Sequence, residues 1–242
     1  MRPVPVLLPG NMCDARLWSG SDGALAAALA GHSLVEPLYA DCTLDGDIAA
    51  MTRRALAQTP GPLLAIGFSM GAIVAVEMAV RAPERIAGLV LIGYNATADL
   101  PERAAHRPVQ QAEVLAGGLE RVLVEELKPN YLSAANRGDA ALLDLLRAMG
   151  LGLGPDVFVR QSEALRLRED RRPALAGLGC PVLYMCGLED RLCPPVWHRQ
   201  WMDMTPDSQL AIVAGAGHML PLEAPGPFSA TISQWLIAKE IA

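Results

Sequence analysis

Ser69 sits between Gly67 and Gly71 inside the apolar run "LLAIGFSMGAIVAVEMAV", Leu63 to Val80. A serine hydroxyl attacks a carbonyl only when a neighbouring base takes its proton, and that base needs an acid to hold its tautomer. Of the four histidines, His218 lies in "IVAGAGHMLPLEAP", just past an apolar segment and on a Gly-rich loop that can carry an imidazole to a strand end. His32 reads as the start of a strand, His106 falls in a helical region and His198 lies on a surface helix; all three are expected to face solvent. For the acid, "PVLYMCGLEDRLCPP" offers two carboxylates beyond another apolar segment. Asp190, three residues after Gly187, is the first choice and Glu189 the alternative. Ser69, His218 and Asp190 would together run acyl transfer, as nucleophile, general base and orienting carboxylate.

Those side chains are far apart in sequence, so the elements carrying them must converge. Ser69 falls where "LLAIGF" ends as a strand and "MGAIVAVEMAV" begins as a helix. A turn that tight strains the serine backbone and brings the residues two before and two after into collision, which glycine relieves at both places. Strands are expected at Pro3–Gly10, His32–Leu38, Pro62–Phe68, Ala87–Tyr94, Pro181–Gly187 and Ser208–Gly215. Four of these are nearly continuous apolar runs, the pattern of strands buried on both faces. Helices fit between them at Ala24–Ala30, Asp47–Gln58, Met70–Arg81, Pro195–Met204 and Pro227–Ile241. This alternation implies one α/β domain with a mostly parallel sheet of about six core strands and helices on both faces.

From about Ala96 to Arg172 the rhythm breaks. Only helical patterns occur there, such as "LERVLVEELK" with Leu119, Val122, Leu123 and Leu127 on one face. Such an excursion, residues 96–172 between core segments 1–95 and 173–242, would lie as a cap over the carboxyl ends of the strands, where doubly wound sheets bind ligands.

Composition narrows the function. The chain has 242 residues, with 52% hydrophobic and 19% charged, and a net charge of -6 with no concentration of lysine and arginine. Its densest charge run, "RLREDRR", alternates in sign. Nucleic acid is therefore not an expected partner. Five cysteines without a CxxC pair argue against a disulfide framework or a zinc site, and fit buried thiols in a reducing, cytoplasmic compartment. The N-terminal "MRPVPVLLPG" lacks the features of a signal peptide. Glu77 would lie inside any span drawn through the opening run, so no membrane association is expected.

In motif order the chain resembles the α/β-hydrolase superfamily, in particular its capped esterase and lactonase-like members. "LLPGNMCDARLW" resembles the oxyanion loop, "GFSMGA" the nucleophile elbow, "GLEDRLCPP" the acid loop and "GAGHMLPLEAP" the histidine loop. The chain departs from the family in reading Pro9-Gly10 where His-Gly is common, in Ala72 after the second elbow glycine, and in lacking the leading β-hairpin. The resemblance implies a Ser69–His218–Asp190 triad, an oxyanion hole from the backbone N–H groups of Asn11 and Met70, and no metal or cofactor. It implies a small acyl substrate, a carboxylic ester or lactone. C–C bond hydrolysis, thioester hydrolysis and perhydrolysis run on the same triad, and some members bind ligands without turnover.

Overall fold

A computed structural model of the chain describes residues 2–18, 22–32, 36–127 and 130–241. Its apolar runs become six strands: β1 (Val4–Leu8), β2 (Leu38–Tyr39), β3 (Leu63–Phe68), β4 (Ile86–Ile92), β5 (Val182–Gly187) and β6 (Ser208–Val213). Every pairing is parallel and the spatial order is β2-β1-β3-β4-β5-β6. All six residues of β3 and all six of β5 are buried, because helices cover both faces of the sheet. β6, at the edge, is only half-buried.

The second strand departs from expectation. His32 follows directly on a helix rather than starting a strand, residues 33–35 lie outside those described, and pairing with β1 begins only at Leu38. Pro37 explains the late start, since it has no N–H to contribute to a ladder and restricts the residue before it. The other expected strands and helices are present within a few residues of their predicted ends. Helices α1 (Asp22–Gly31), α2 (Ile48–Ala57) and α3 (Met70–Arg81) precede β4. Asp47 caps α2, its carboxylate accepting the Ala50 N–H at 2.7 Å.

Between β4 and β5 the chain leaves the sheet. Helix α4 (Pro101–Glu113) runs through two wide π-type turns flanking the short α5 (Leu119–Arg121), and then come α6 (Ala140–Leu153), α7 (Pro155–Arg166) and α8 (Arg172–Leu175). Gly117, at φ 99, makes the kink. Asp139 caps α6 through the N–H groups of Ala141 and Leu142. This excursion has a small core of its own, in which Val114, Leu119, Val122, Leu123, Val157 and Phe158 surround Met12 from the loop after β1. After β5 follow α9 (Pro195–Met204), α10 (Leu220–Glu223) and α11 (Pro225–Ala238). Among the described residues no helix is long and apolar enough to cross a membrane.

Strand residues alternate between two cores, as a side-chain period of two requires. Leu63 and Ala65 of β3 face α2 and α3, with Leu89 and Leu91 of β4 beside them. Leu64, Ile66 and Phe68 face the opposite layer, where Leu25 and Leu29 of α1 meet Phe228, Ile232 and Trp235 of α11. Each fully buried aliphatic side chain contributes about 2 kcal/mol. Ile66 is wholly buried in the centre of the sheet. Ile66→Ala is expected to destabilise the chain by about 2–5 kcal/mol in urea denaturation, and a loss below 1 kcal/mol would contradict this packing.

Candidate active site

Ser69 occupies a crossover that few residues tolerate. β3 stops at Phe68, α3 starts at Met70, and between them Ser69 has φ 52 and ψ -112. Its N–H donates to the Ile92 carbonyl at 2.8 Å, and its own carbonyl accepts from the Ala72 and Ile73 N–H groups. Both flanking glycines are required by contact. A Cβ on Gly67 would stand 2.5 Å from the Gly71 carbonyl oxygen, and one on Gly71 would stand 2.0 Å from the Leu8 carbonyl oxygen. The absent side chain of Gly71 therefore lets the start of α3 rest on the end of β1. Gly10 allows the next close approach, since a Cβ there would lie 3.3 Å from Ser69 Cβ.

His218 and Asp190 arrive from the ends of β6 and β5. His218 Nε2 is 3.1 Å from Ser69 Oγ, and its Nδ1 is 2.8 Å from Asp190 Oδ2. Asp190 is a buried carboxylate whose other oxygen accepts the Leu192 and Cys193 N–H groups at 2.9 and 2.8 Å. Burial alone would raise its pKa. The charge and hydrogen bond of His218, with the Cys193 N–H, outweigh burial and hold it below the usual carboxylate value. The imidazole is seated between Phe68 and Tyr131, with ring centroids 5.0 and 6.0 Å away. Its backbone N–H donates to the Tyr131 carbonyl at 2.8 Å. Glu223 fixes the same loop, taking the N–H groups of Gly217 at 2.9 Å and Ser133 at 2.7 Å. Glu189 points elsewhere and accepts the Ala134 N–H at 2.8 Å. The hydroxyl, imidazole and carboxylate of Ser69, His218 and Asp190 thus meet, whereas Glu189 does not join them.

The other histidines divide. His106 is exposed beside Glu126, and His32 is half-buried against Ser233. His198 corrects the expectation of a solvent-facing side chain. It is fully buried, because α9 turns it inward with Trp201. Its Nε2 accepts the Tyr94 N–H at 3.0 Å and its Nδ1 lies 3.3 Å from the Pro194 carbonyl, which assigns the proton to Nδ1. Burial pushes its pKa down to about 4, against the pull of Asp190.

Ser69 opens into a cleft of about 300 Å³ whose lining includes Asn11, Met70, Tyr131 and His218, with Arg103 and Arg168 from the excursion. Met70 is the first residue of α3, so its N–H has no acceptor within the helix. Asn11 follows the Gly10 approach. Next to it, Met12 is held at φ 53, and its N–H donates to Gln161 Oε1 at 2.8 Å. Gln161 is wholly buried on α7, and its Nε2 in turn donates to the Cys42 carbonyl at 3.0 Å. Sequence reasoning passed over this residue. A signal was present, because Gln161 falls on the apolar face set by Val157, Phe158, Ala164 and Leu165, where a polar side chain must find partners. All five cysteines are free and buried, and burial pushes the Cys13, Cys42 and Cys186 thiols up to about 12. Among the described residues no group of three His, Cys, Asp or Glu side chains could hold a metal ion.

The neutral, buried His198 has a measurable consequence. A histidine whose folded pKa is depressed stabilises the fold fully above its unfolded pKa of about 6.5 and loses that contribution as pH falls towards 4. Between those limits the wild-type chain is expected to lose on the order of 3 kcal/mol through this group. Urea denaturation at pH 6.5, 5.5 and 4.5 should show a shallower pH slope for His198→Asn than for wild type; equal slopes would argue against a neutral buried imidazole.

The alpha/beta hydrolase family model matches residues 6–231. The chain is 28% identical over 245 residues to the pimeloyl-[acyl-carrier protein] methyl ester esterase of Edwardsiella ictaluri, covering 98% of this chain and 94% of that protein. It is 30% identical over 240 residues to the enzyme of the same name from Yersinia enterocolitica, covering 93% and 89%. Among solved structures, a thermophilic esterase from Thermogutta terrifontis superposes with a TM-score of 0.87 at 24% identity, covering 98% of this chain and 91% of that one. An enol-lactonase from Burkholderia xenovorans follows at 0.83 and 20%, covering 98% and 92%. With a parallel sheet of the matching topology, a serine at its strand-to-helix crossover and a family match over nearly the whole chain, this protein belongs to the alpha/beta hydrolase family and is a hydrolase.

Proposed function

We propose that the chain hydrolyses a small carboxylic ester or lactone through an acyl-enzyme on Ser69. The observation that carries this reading is the continuous hydrogen-bonded chain from Ser69 Oγ through His218 to Asp190 at the floor of the cleft. His218 takes the serine proton as Oγ attacks the acyl carbonyl, and Asp190 fixes the Nδ1–H tautomer and stabilises the imidazolium. The oxyanion is held by the N–H groups of Met70 and Asn11; one such donor is typically worth on the order of 3 kcal/mol in the barrier. The imidazolium then protonates the leaving alcohol, and water, deprotonated by the same imidazole, releases the acid. Ester cleavage is favoured over C–C, thioester and perhydrolytic chemistry because the relatives from Edwardsiella and Yersinia are named as methyl ester esterases.

Residues 96–172 act as a cap in this reading. Gln161 links that cap to the oxyanion loop, holding Met12 in a left-handed conformation beside Asn11.

A panel of p-nitrophenyl esters of graded chain length, with simple lactones and thioesters, tests the activity. Wild type is expected to prefer short esters or lactones, and a fluorophosphonate should label Ser69. Ser69→Ala is expected to lower kcat by at least about 10⁴-fold while thermal unfolding stays near wild type; retained turnover in pure protein defeats the proposal. Asp190→Asn is expected to cost a comparable factor, and a loss of only a few-fold would return Glu189 to consideration. Gln161→Leu is expected to lower kcat by up to about 100-fold through misplacement of the Asn11 N–H. KM should change little, and an effect confined to KM would deny Gln161 that positioning role.

A further inference from the structure

The cleft beside Ser69 carries positive charge that its own walls do not neutralise. Arg103, Arg107 and Arg168 all line it. A single buried carboxylate, Asp99, serves two of them, receiving Arg107 Nε at 2.6 Å and Arg168 Nη1 at 3.0 Å. Arg168 is itself buried and spends its remaining donors on backbone, with Nε to the Thr97 carbonyl at 2.9 Å. Arg103 lies one turn before Arg107 on α4 and makes no ion pair or hydrogen bond among the described residues. The acid in the lining itself, Glu126, is already taken by Arg121, Gln110 and His106. Asp190 is committed to His218. Arg107 and Arg168 thus share one buried carboxylate outside the lining, and Arg103 has none, in a cleft that also holds Ser69.

Arg103 is solvent-exposed at the cleft, so its unpaired guanidinium is free to meet an anion arriving with the substrate. Burial first, and then the charges of Arg107 and Arg103, lower the pKa of Arg168 against the pull of Asp99.

We propose that Arg103, with the Asp99-linked pair Arg107 and Arg168 behind it, forms an anion subsite that binds a carboxylate or phosphate on the substrate, away from the bond that Ser69 cleaves. The substrate class is then an ester of an acid bearing a second, anionic group. This rests on the ester-hydrolase reading. A guanidinium fork suits either anion bidentately, and a cleft of about 300 Å³ suits a short chain between the two ends.

Hydrolysis of monomethyl glutarate and dimethyl glutarate, which differ only in one free carboxylate, tests the subsite. Wild type is expected to show kcat/KM at least about tenfold higher for the half-ester at low salt, with the ratio falling as ionic strength rises. Arg103→Gln should bring the ratio close to one, whereas Arg147→Gln, a change of equal charge outside the cleft, should leave it as in wild type. A wild-type ratio near one, or a ratio unmoved by Arg103→Gln, overturns the proposal. Binding of glutarate and of inorganic phosphate, measured by calorimetry on wild type and Arg103→Gln, judges the subsite without turnover. Tighter glutarate assigns it to carboxylates and tighter phosphate to phosphorylated substrates, in either case with at least about tenfold weakening in the variant. Binding of neither at millimolar concentration refutes it. If neither ester is cleaved but one anion binds in this manner, the ester reading fails and the anion subsite stands.

Discussion

A non-glycine residue held at φ 52 costs on the order of 1–3 kcal/mol, and it persists only where the surroundings leave it no alternative. At Ser69 the surroundings are three elements locked together. The N–H is taken by Ile92 of β4, the carbonyl begins α3, and the start of α3 lies directly on the Leu8 carbonyl of β1. That last contact has no room for a side chain, so Gly71 governs more than the shape of a turn. It fixes how near the loop after β1 comes to the serine, and hence where the Asn11 N–H can stand relative to that of Met70. The whole arrangement depends on this backbone-to-backbone contact, which the buried sheet beneath it maintains.

The remaining parts of the site are anchored by the segment between β4 and β5 as much as by the sheet. Tyr131 accepts the N–H of His218, Glu223 ties Gly217 to Ser133, and Gln161 reaches from α7 to the Met12 N–H. Each bond joins a loop at a strand end to the helical excursion. Movement of that excursion would therefore disturb the imidazole and the loop after β1 together. Met12 strengthens the linkage, being the one residue outside the excursion, among those described, in that segment's apolar cluster.

What could be read from sequence followed the range of the interactions involved. The bounds of α3 and the end of β3 were legible because a local conflict, two glycines around a serine in an apolar run, has one structural solution. Asp190 and His218 were legible because each follows an apolar strand of a parallel sheet, whose carboxyl ends must lie on the same rim. β2 was misplaced because its register depends on Pro37 and on pairing with β1, not on its own hydrophobicity. His198 was misjudged because a helix of mixed composition does not reveal which face turns inward until Trp201 and Tyr94 are positioned. Gln161 and the Asp99–Arg168 pair were out of reach as specific contacts, because their partners come from elsewhere in the chain and only the folded backbone selects them.

The buried neighbours of Asp190 give its carboxylate a single strong partner. His218 contributes both charge and a hydrogen bond to holding the Asp190 pKa down, against burial. His198 is prevented from competing by its own hydrogen bonds. Its Nε2 is used as an acceptor by the Tyr94 N–H, and burial holds its pKa down to about 4, so it stays neutral near pH 7. Were His198 cationic, it would draw on the same carboxylate that His218 is bonded to. The backbone donors of Leu192 and Cys193 occupy the carboxylate oxygen that His218 leaves unused. Asp190 is thereby solvated by fixed dipoles on one side and by the His218 imidazole on the other. The carboxylate is thus already oriented toward the imidazole that stands against Ser69.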